Sequence, residues 1–163
     1  MTHERTALRF RSRGFTAVEM MTVVMIVALL SILALPNLGT VVQNNRLRTA
    51  GTDLMSSVLL ARSEAIKRNG QVQILPSSGS DWTSGWRVQV VGTGAQLDKK
   101  NNIGSQVRVT GAPESIVYDH SGRLTTPGTS QVQFQDPENR TYAQSRCLAI
   151  DSSGLPRLSI GSC

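Results

Sequence analysis

The most chemically suggestive residues lie at Arg13-Gly14-Phe15-Thr16-Ala17-Val18-Glu19, where a basic segment meets a long apolar run. The run from Phe15 to Leu35 spans 21 residues and contains one charge, Glu19. An unpaired carboxylate in hydrocarbon costs about 3 kcal/mol even on insertion scales. A plain anchor gains nothing from such a residue, so Glu19 calls for a positive partner. Cutting the chain between Gly14 and Phe15 would free an amine close to it in sequence. The chemistry expected here is peptide cleavage followed by carboxylate–ammonium pairing.

Elsewhere the residue types of catalysis do not assemble. The sequence holds two histidines, His3 and His120, and cleavage after Gly14 removes His3. A two-histidine metal site then cannot form within one chain. Asp119-His120-Ser121 carries triad residue types, but neighbours along a strand point to opposite faces and cannot form the relay. A turn leading into Gly122 accounts for them better. Asp136 and Glu138 flank Pro137 and offer oxygens to calcium, without the spacing of an EF-hand. We expect no metal, no cofactor and no enzyme activity. The two cysteines, Cys147 and Cys163, lie in the part expected to face an oxidising compartment, where a disulfide between them is expected. Two free thiols are the alternative.

These residues need elements to hold them. A bilayer requires about 20 apolar residues, which the run from Phe15 to Leu35 supplies. A secretory signal peptide has an apolar stretch of roughly 7–15 residues before a small-x-small site, so this run is too long and lacks the site. Arg5, Arg9, Arg11 and Arg13 precede it, which orients the N-terminus to the cytoplasm and the C-terminus outward. About 127 residues remain beyond residue 36, one domain's worth. The formal charge of +6 belongs partly to the leader, with its four Arg and one Glu. The excess of +4 left outside the membrane is mild and compatible with an acidic partner. Between Asn37 and Lys67, Leu47, Ala50, Leu54, Val58, Ala61 and Ala65 recur at helical spacing and mark a core-facing stripe. Arg46, Arg48, Asp53, Arg62, Lys67 and Arg68 line the other side. Asn69-Gly70 ends the helix with residues that tolerate a left-handed cap. Then the period changes to two. Strands are expected at 71–75, 86–91, 106–110, 115–119, 131–135, 146–150 and 157–160, separated by Gly, Pro, Ser and Asn. The fold class is α+β, a long N-terminal helix packed on antiparallel sheet.

Gly14-Phe15-Thr16-x-x-Glu19 resembles the processing site of the type IV pilins and type II secretion pseudopilins. In that family a prepilin peptidase cuts after the Gly, the new Phe is N-methylated, and the Glu pairs with the terminal amine of a neighbouring subunit. Pro36 falls where the family often has a helix-bending proline. Leu60-Ala61-Arg62-Ser63-Glu64-Ala65-Ile66-Lys67-Arg68-Asn69, Trp82-x-x-Gly85-Trp86 and Asp119-His120-Ser121-Gly122-Arg123 resemble the GspH/FimT group of minor pilins and pseudopilins. The resemblance covers most of the chain and is weakest from Gly92 to Pro113. It implies a type IV pilin fold with a cleaved leader over residues 1–14, a transmembrane and filament-core helix over 15–36, an amphipathic helix half over 37–69 and a β-rich periplasmic or extracellular domain over 70–163. The partners it implies are other pilin or pseudopilin subunits, the prepilin peptidase, the inner-membrane assembly platform and, before assembly, the lipid bilayer. The function it implies is that of a minor pilin near the filament tip that helps start assembly of a type IV pilus. The H-type pseudopilin of a type II secretion system is the alternative.

Some FimT-type relatives act in DNA uptake through a Gly-Arg-x-Arg loop. Here the stretch reads Gly154-Leu155-Pro156-Arg157, so Arg157 matches and the first Arg is missing. Arg123, Arg140 and Arg146 would add phosphate contacts only if folding gathers them. The processing assignment has a direct consequence. Gly14→Val should block cleavage, so that mass spectrometry of the membrane fraction finds the chain uncut; normal cleavage of the variant would refute the site.

Overall fold

The computed structural model describes residues 14–125 and 130–163, and for residues 32–37 the backbone alone. The leader, apart from Gly14, and the side chain of Pro36 therefore lie outside the described residues. The chain divides into two units, Met1–Leu38 and Gly39–Cys163.

Helix α1 runs from Ala17 to Arg68. Its end has a defined cap. Asn69 adopts a left-handed conformation with φ 49°. The Asn69 amide donates to Ile66 O at 3.2 Å and the Gly70 amide to Ala65 O at 3.1 Å, the two bonds of a Schellman motif. Asn69, and not Gly70, takes the left-handed position. Lys67 and Arg68 in the last turn suit the negative end of the helix dipole. Within Gly39–Cys163, all six residues of the expected stripe, Leu47 through Ala65, are buried.

Beyond the helix the strands are β1 (Val72–Ser78), β2 (Asp81–Val90), β3 (Gln96–Lys100), β4 (Arg108–Thr110), β5 (Ile116–Tyr118), β6 (Ser130–Gln135), β7 (Arg146–Ile150) and β8 (Pro156–Ile160). They form two four-stranded antiparallel sheets, ordered β3-β2-β1-β5 and β4-β6-β7-β8. The sequence pattern anticipates seven of these strands and a single sheet. It misses β3, because Gln-Leu-Asp-Lys-Lys lacks apolar alternation. As an edge strand with charged side chains, β3 needs none.

Alternate residues of both sheets face α1. Val72, Ile74, Trp86, Val88, Ile116 and Tyr118 come from the first sheet, and Val132, Phe134, Leu148 and Ile150 from the second; all are buried in one core with the helix stripe. Gly51 in mid-helix would cost about 1 kcal/mol relative to Ala on propensity alone. Here it makes room for β8, since a Cβ at that position would lie 2.8 Å from Leu158 Cδ1. At the head of the domain helix, the Gln43 side-chain amide donates to Gln106 O at 2.7 Å, and Asn44 Oδ1 accepts from the Gln144 amide at 2.8 Å. Two loops are thereby tied to α1.

The Trp82-x-x-Gly85-Trp86 segment is a packing device. Trp86 Nε1 donates to Ser57 Oγ of α1 at 2.8 Å, and Trp82 Nε1 to Pro113 O at 2.9 Å. Between them Gly85 sits at φ +91°, and a Cβ there would collide with the backbone of Lys100 and Asn101 at the end of β3. Gly85→Ala should therefore lower stability by about 3 kcal/mol or more. Gly92→Ala, at φ +90° with open space around it, should cost only the backbone strain of about 1–2 kcal/mol. Urea midpoints of the two variants test this difference.

The turn after β6 holds a second polar device. Asp136 is buried and accepts from Arg140 at three points, the backbone amide at 2.9 Å, Nε at 2.9 Å and Nη2 at 2.7 Å. The Arg140 guanidinium holds the Asp136 carboxyl below the usual carboxylate range. Because the folded value is depressed, the pairing contributes fully above the ordinary carboxylate pKa of about 3.9 and is lost progressively as pH falls from there through the lower folded value. Asp136→Asn should accordingly be less stable than the parent at pH 7. The gap should shrink as denaturation is measured at progressively lower pH through that range.

Candidate functional site

Gly14, Phe15 and Thr16 precede the helix, are exposed and carry no regular secondary structure. Both residues of the Gly14–Phe15 bond are therefore at the surface. The next residues close a reciprocal cap. The Thr16 amide donates to Glu19 Oε2 at 2.8 Å and Thr16 Oγ1 donates to the same oxygen at 2.9 Å. In return the Glu19 amide donates to Thr16 Oγ1 at 3.2 Å. This is a capping box, which satisfies donors that the first helical turn leaves without partners. The carboxylate also lies at the positive end of the helix dipole. Both bonds that the Glu19 carboxylate accepts end on Oε2; Oε1 accepts none among the described residues. Besides the pairing with an amine expected of it, Glu19 thus has a role within its own helix, for which Thr16-x-x-Glu19 before an apolar run is the sequence signature.

Behind the cap, every side chain described from Gly14 to Ser31 is exposed, with Phe15 at 79 % and Met21 at 73 %. Among the described residues, no helix is long and apolar enough to cross a membrane. The run expected to do so continues into residues 32–37.

In the domain the remaining motifs converge on one junction between helix and turns. Asp119 Oδ1 accepts from the Ser121 amide at 2.8 Å, Ser121 Oγ at 2.7 Å and the Arg123 amide at 3.0 Å, so Asp119-His120-Ser121 builds a turn. Gly122 follows at φ +76°, pressed against α1: a Cβ would lie 2.6 Å from Ile66 Cδ1. Arg62 Nε donates to Gly122 O at 2.9 Å. Gly154, at φ +83°, is wedged against Gly122 O and the Tyr118 ring, where a Cβ would collide. The Tyr118 hydroxyl donates to Gly154 O at 3.1 Å, and burial raises its pKa well above the ordinary value. Arg62, assigned to a solvent face in the sequence, is therefore a clamp. Asp119 and Asp151, each accepting several turn donors, are held below the usual carboxylate range first by the hydroxyls of Ser121 and Ser153.

At the C-terminal end, Cys147 and Cys163 form a disulfide. With a sequence separation of 16, loop-closure entropy assigns it about 3 kcal/mol. Gln133 of β6 reinforces it: Oε1 accepts from the Cys163 amide at 2.7 Å and Nε2 donates to Gly161 O at 3.2 Å. The arginines that would contact DNA are differently disposed. Arg157 is exposed and opposite Ala149, while Arg146 lies on the other face of β7, with the buried Leu148 and Ile150. Arg123 is exposed in the turn at Gly122, Arg140 is committed to Asp136, and Glu138 Oε2 lies 3.6 Å from Arg140. The carboxylates flanking Pro137 thus serve an arginine, and no group of three or more metal-ligating residues occurs among the described residues.

Comparison with known proteins gives these features a context. The family model described as type II transport protein GspH matches residues 50–154. Two crystal forms of the type IV minor pilin FimU of Pseudomonas aeruginosa share the fold. One is 25 % identical with a TM-score of 0.56 over 72 % of this chain and 90 % of that chain. The other is 25 % identical with a TM-score of 0.53 over 71 % of this chain and 93 % of that chain. Comparison with curated protein sequences finds no match. Members of such pilin-like families are structural subunits that assemble with one another. The chain belongs to the GspH family of type IV pilin-like proteins, as a type IV minor pilin or a GspH-like pseudopilin.

Proposed function

We propose that the chain is a minor pilin that helps initiate and assemble a type IV pilus, close to the filament tip, in the service of motility, adhesion or DNA uptake. The observation that carries this reading is the exposed apolar helix surface behind the capped Glu19. A helix that is apolar around its circumference requires lipid or other helices about it. Phe15 to Leu35 meets that requirement first as a single span of the inner membrane, with the domain in the periplasm, and then among other subunits in the filament core. The prepilin peptidase cuts between Gly14 and Phe15, and the new Phe15 amine is N-methylated. That amine on one subunit meets Glu19 of its neighbour, where Oε1 remains available beyond the cap. The pairing removes the cost of an isolated carboxylate in an apolar core and so favours incorporation. The inner-membrane assembly platform is the remaining partner. The chain acts by contact, with no catalytic step.

The H-type pseudopilin of a type II secretion system is the second reading, favoured by the description of the matching family model. It uses the same leader, carboxylate and fold.

Mass spectrometry of fibres sheared from the cell surface, beside the membrane fraction of the same cells, separates the two. Peptides beginning at methylated Phe15 in the sheared fibres identify a minor pilin. The same peptide confined to the envelope, with type II secretion lost when the chain is absent, identifies a pseudopilin. Glu19→Val should leave cleavage intact while reducing N-methylation and incorporation. Uncut Gly14-Phe15 in wild-type cells, or wild-type levels of the variant in fibres, would overturn the assembly mechanism.

A further inference from the structure

The acids of the domain are almost all engaged internally. Asp53 pairs with Lys100, Glu64 with Lys67 and Arg68, and Asp136 and Glu138 with Arg140. Asp81, Asp119 and Asp151 accept from turn amides and hydroxyls. Among the described residues from Gly39 onward, Asp98 and Glu114 are left. The cations exceed them, thirteen Lys and Arg against nine Asp and Glu between Gly39 and Cys163.

The surplus sets two like charges at opposing positions on the first sheet. Arg87 of β2 lies directly opposite Lys99 of β3. Trp86 and Val88 on either side of Arg87 are fully buried, so Arg87 and Lys99 stand on the outer face. Like charges directly opposite across an antiparallel pair are destabilising. Neither has a salt-bridge partner among the described residues, and Asp98 lies on the other face, opposite Val88. Around the pair the outer face is uncharged. Gln73, Gln89 and Gln96 form a row across β1, β2 and β3. Gln89 Oε1 accepts from Arg87 Nε at 3.2 Å and Ser77 O of β1 from Arg87 Nη1 at 3.5 Å, which leaves Arg87 Nη2 without a hydrogen-bond partner among the described residues.

We propose that this face docks a carboxylate-bearing segment of a different subunit of the assembly. A carboxylate laid across β2 and β3 replaces the repulsion between Arg87 and Lys99 with charge-assisted hydrogen bonds from both. A second copy of this chain is a poor source, because all of its domain acids but Asp98 and Glu114 are engaged in its own turns and ion pairs and its domain carries the same sign of charge. The polar glutamine row supplies donors and acceptors for the backbone or side chains around that carboxylate. The inference rests on the reading that the chain assembles with other subunits.

The test uses the full chain in its own cells, with a photo-reactive phenylalanine analogue in place of Gln89 and, separately, in place of Val24 in the apolar helix. Gln89 should cross-link to a different pilin-like subunit through a peptide containing Asp or Glu. Arg87→Glu and Lys99→Glu should each cut that product about tenfold. Lys99→Glu should at the same time raise the Tm of the purified chain, because it converts a like-charge pair into an ion pair. Three results overturn the proposal: cross-links at Gln89 to a second copy, cross-links to nuclease-sensitive nucleic acid, or products unaffected by charge reversal. Silence at Gln89 while Val24 cross-links normally overturns it too, and leaves assembly standing. Silence at both positions overturns the assembly reading and this face with it.

Discussion

The domain depends on one constraint: the apolar stripe of α1 from Leu47 to Ala65 must be removed from water along its length, and two short sheets do this together. Neither sheet buries a separate core. Each contributes alternate residues from one face, and the helix completes the volume. The polar contacts follow from that arrangement. Trp86 to Ser57 and Arg62 to Gly122 are side-chain hydrogen bonds made where strand or turn meets helix. They select one register of sheet against helix, a choice that nondirectional apolar contact leaves open.

Glycine has a specific part in this register. Gly51, Gly85, Gly122 and Gly154 each stand where a Cβ would enter a neighbouring element. Three of them also hold φ values that other residues adopt only with strain. The motifs linking this chain to its family are therefore largely packing instructions. Their constraint acts where helix, strands and turns meet, and the outer faces of the sheets lie outside it.

The N-terminal unit follows different physics. Its side chains from Gly14 to Ser31 are exposed and predominantly apolar, so its stability has to come from its surroundings. The capping box at Thr16 and Glu19 settles the start of the helix in a way that does not rely on those surroundings. One carboxylate oxygen accepts from the amide and hydroxyl of Thr16, and the other accepts no hydrogen bond among the described residues. A single residue can in this way begin a helix and present a charge at the same place.

Periodicity and spacing alone determined the helix stripe, seven of the eight strands and the turn at Asp119–Gly122, because each is encoded by near neighbours in sequence. The apolar run and the Gly14–Phe15–Glu19 spacing are legible for the same reason. What the tertiary structure decided are the features that depend on distant residues meeting. Strand β3 is held by pairing with β2 rather than by its own composition, and the division into two sheets follows from which strands find partners. Arg62 becomes a clamp only because Gly122, far along the chain, arrives beside it. Arg146 and Arg157 are separated because the pleat sends them to opposite faces. Arg87 and Lys99 are twelve positions apart in sequence, and only strand pairing sets them face to face. Local pattern records the conformation a segment prefers; which charges become neighbours is set by sheet register, a long-range property no single segment contains.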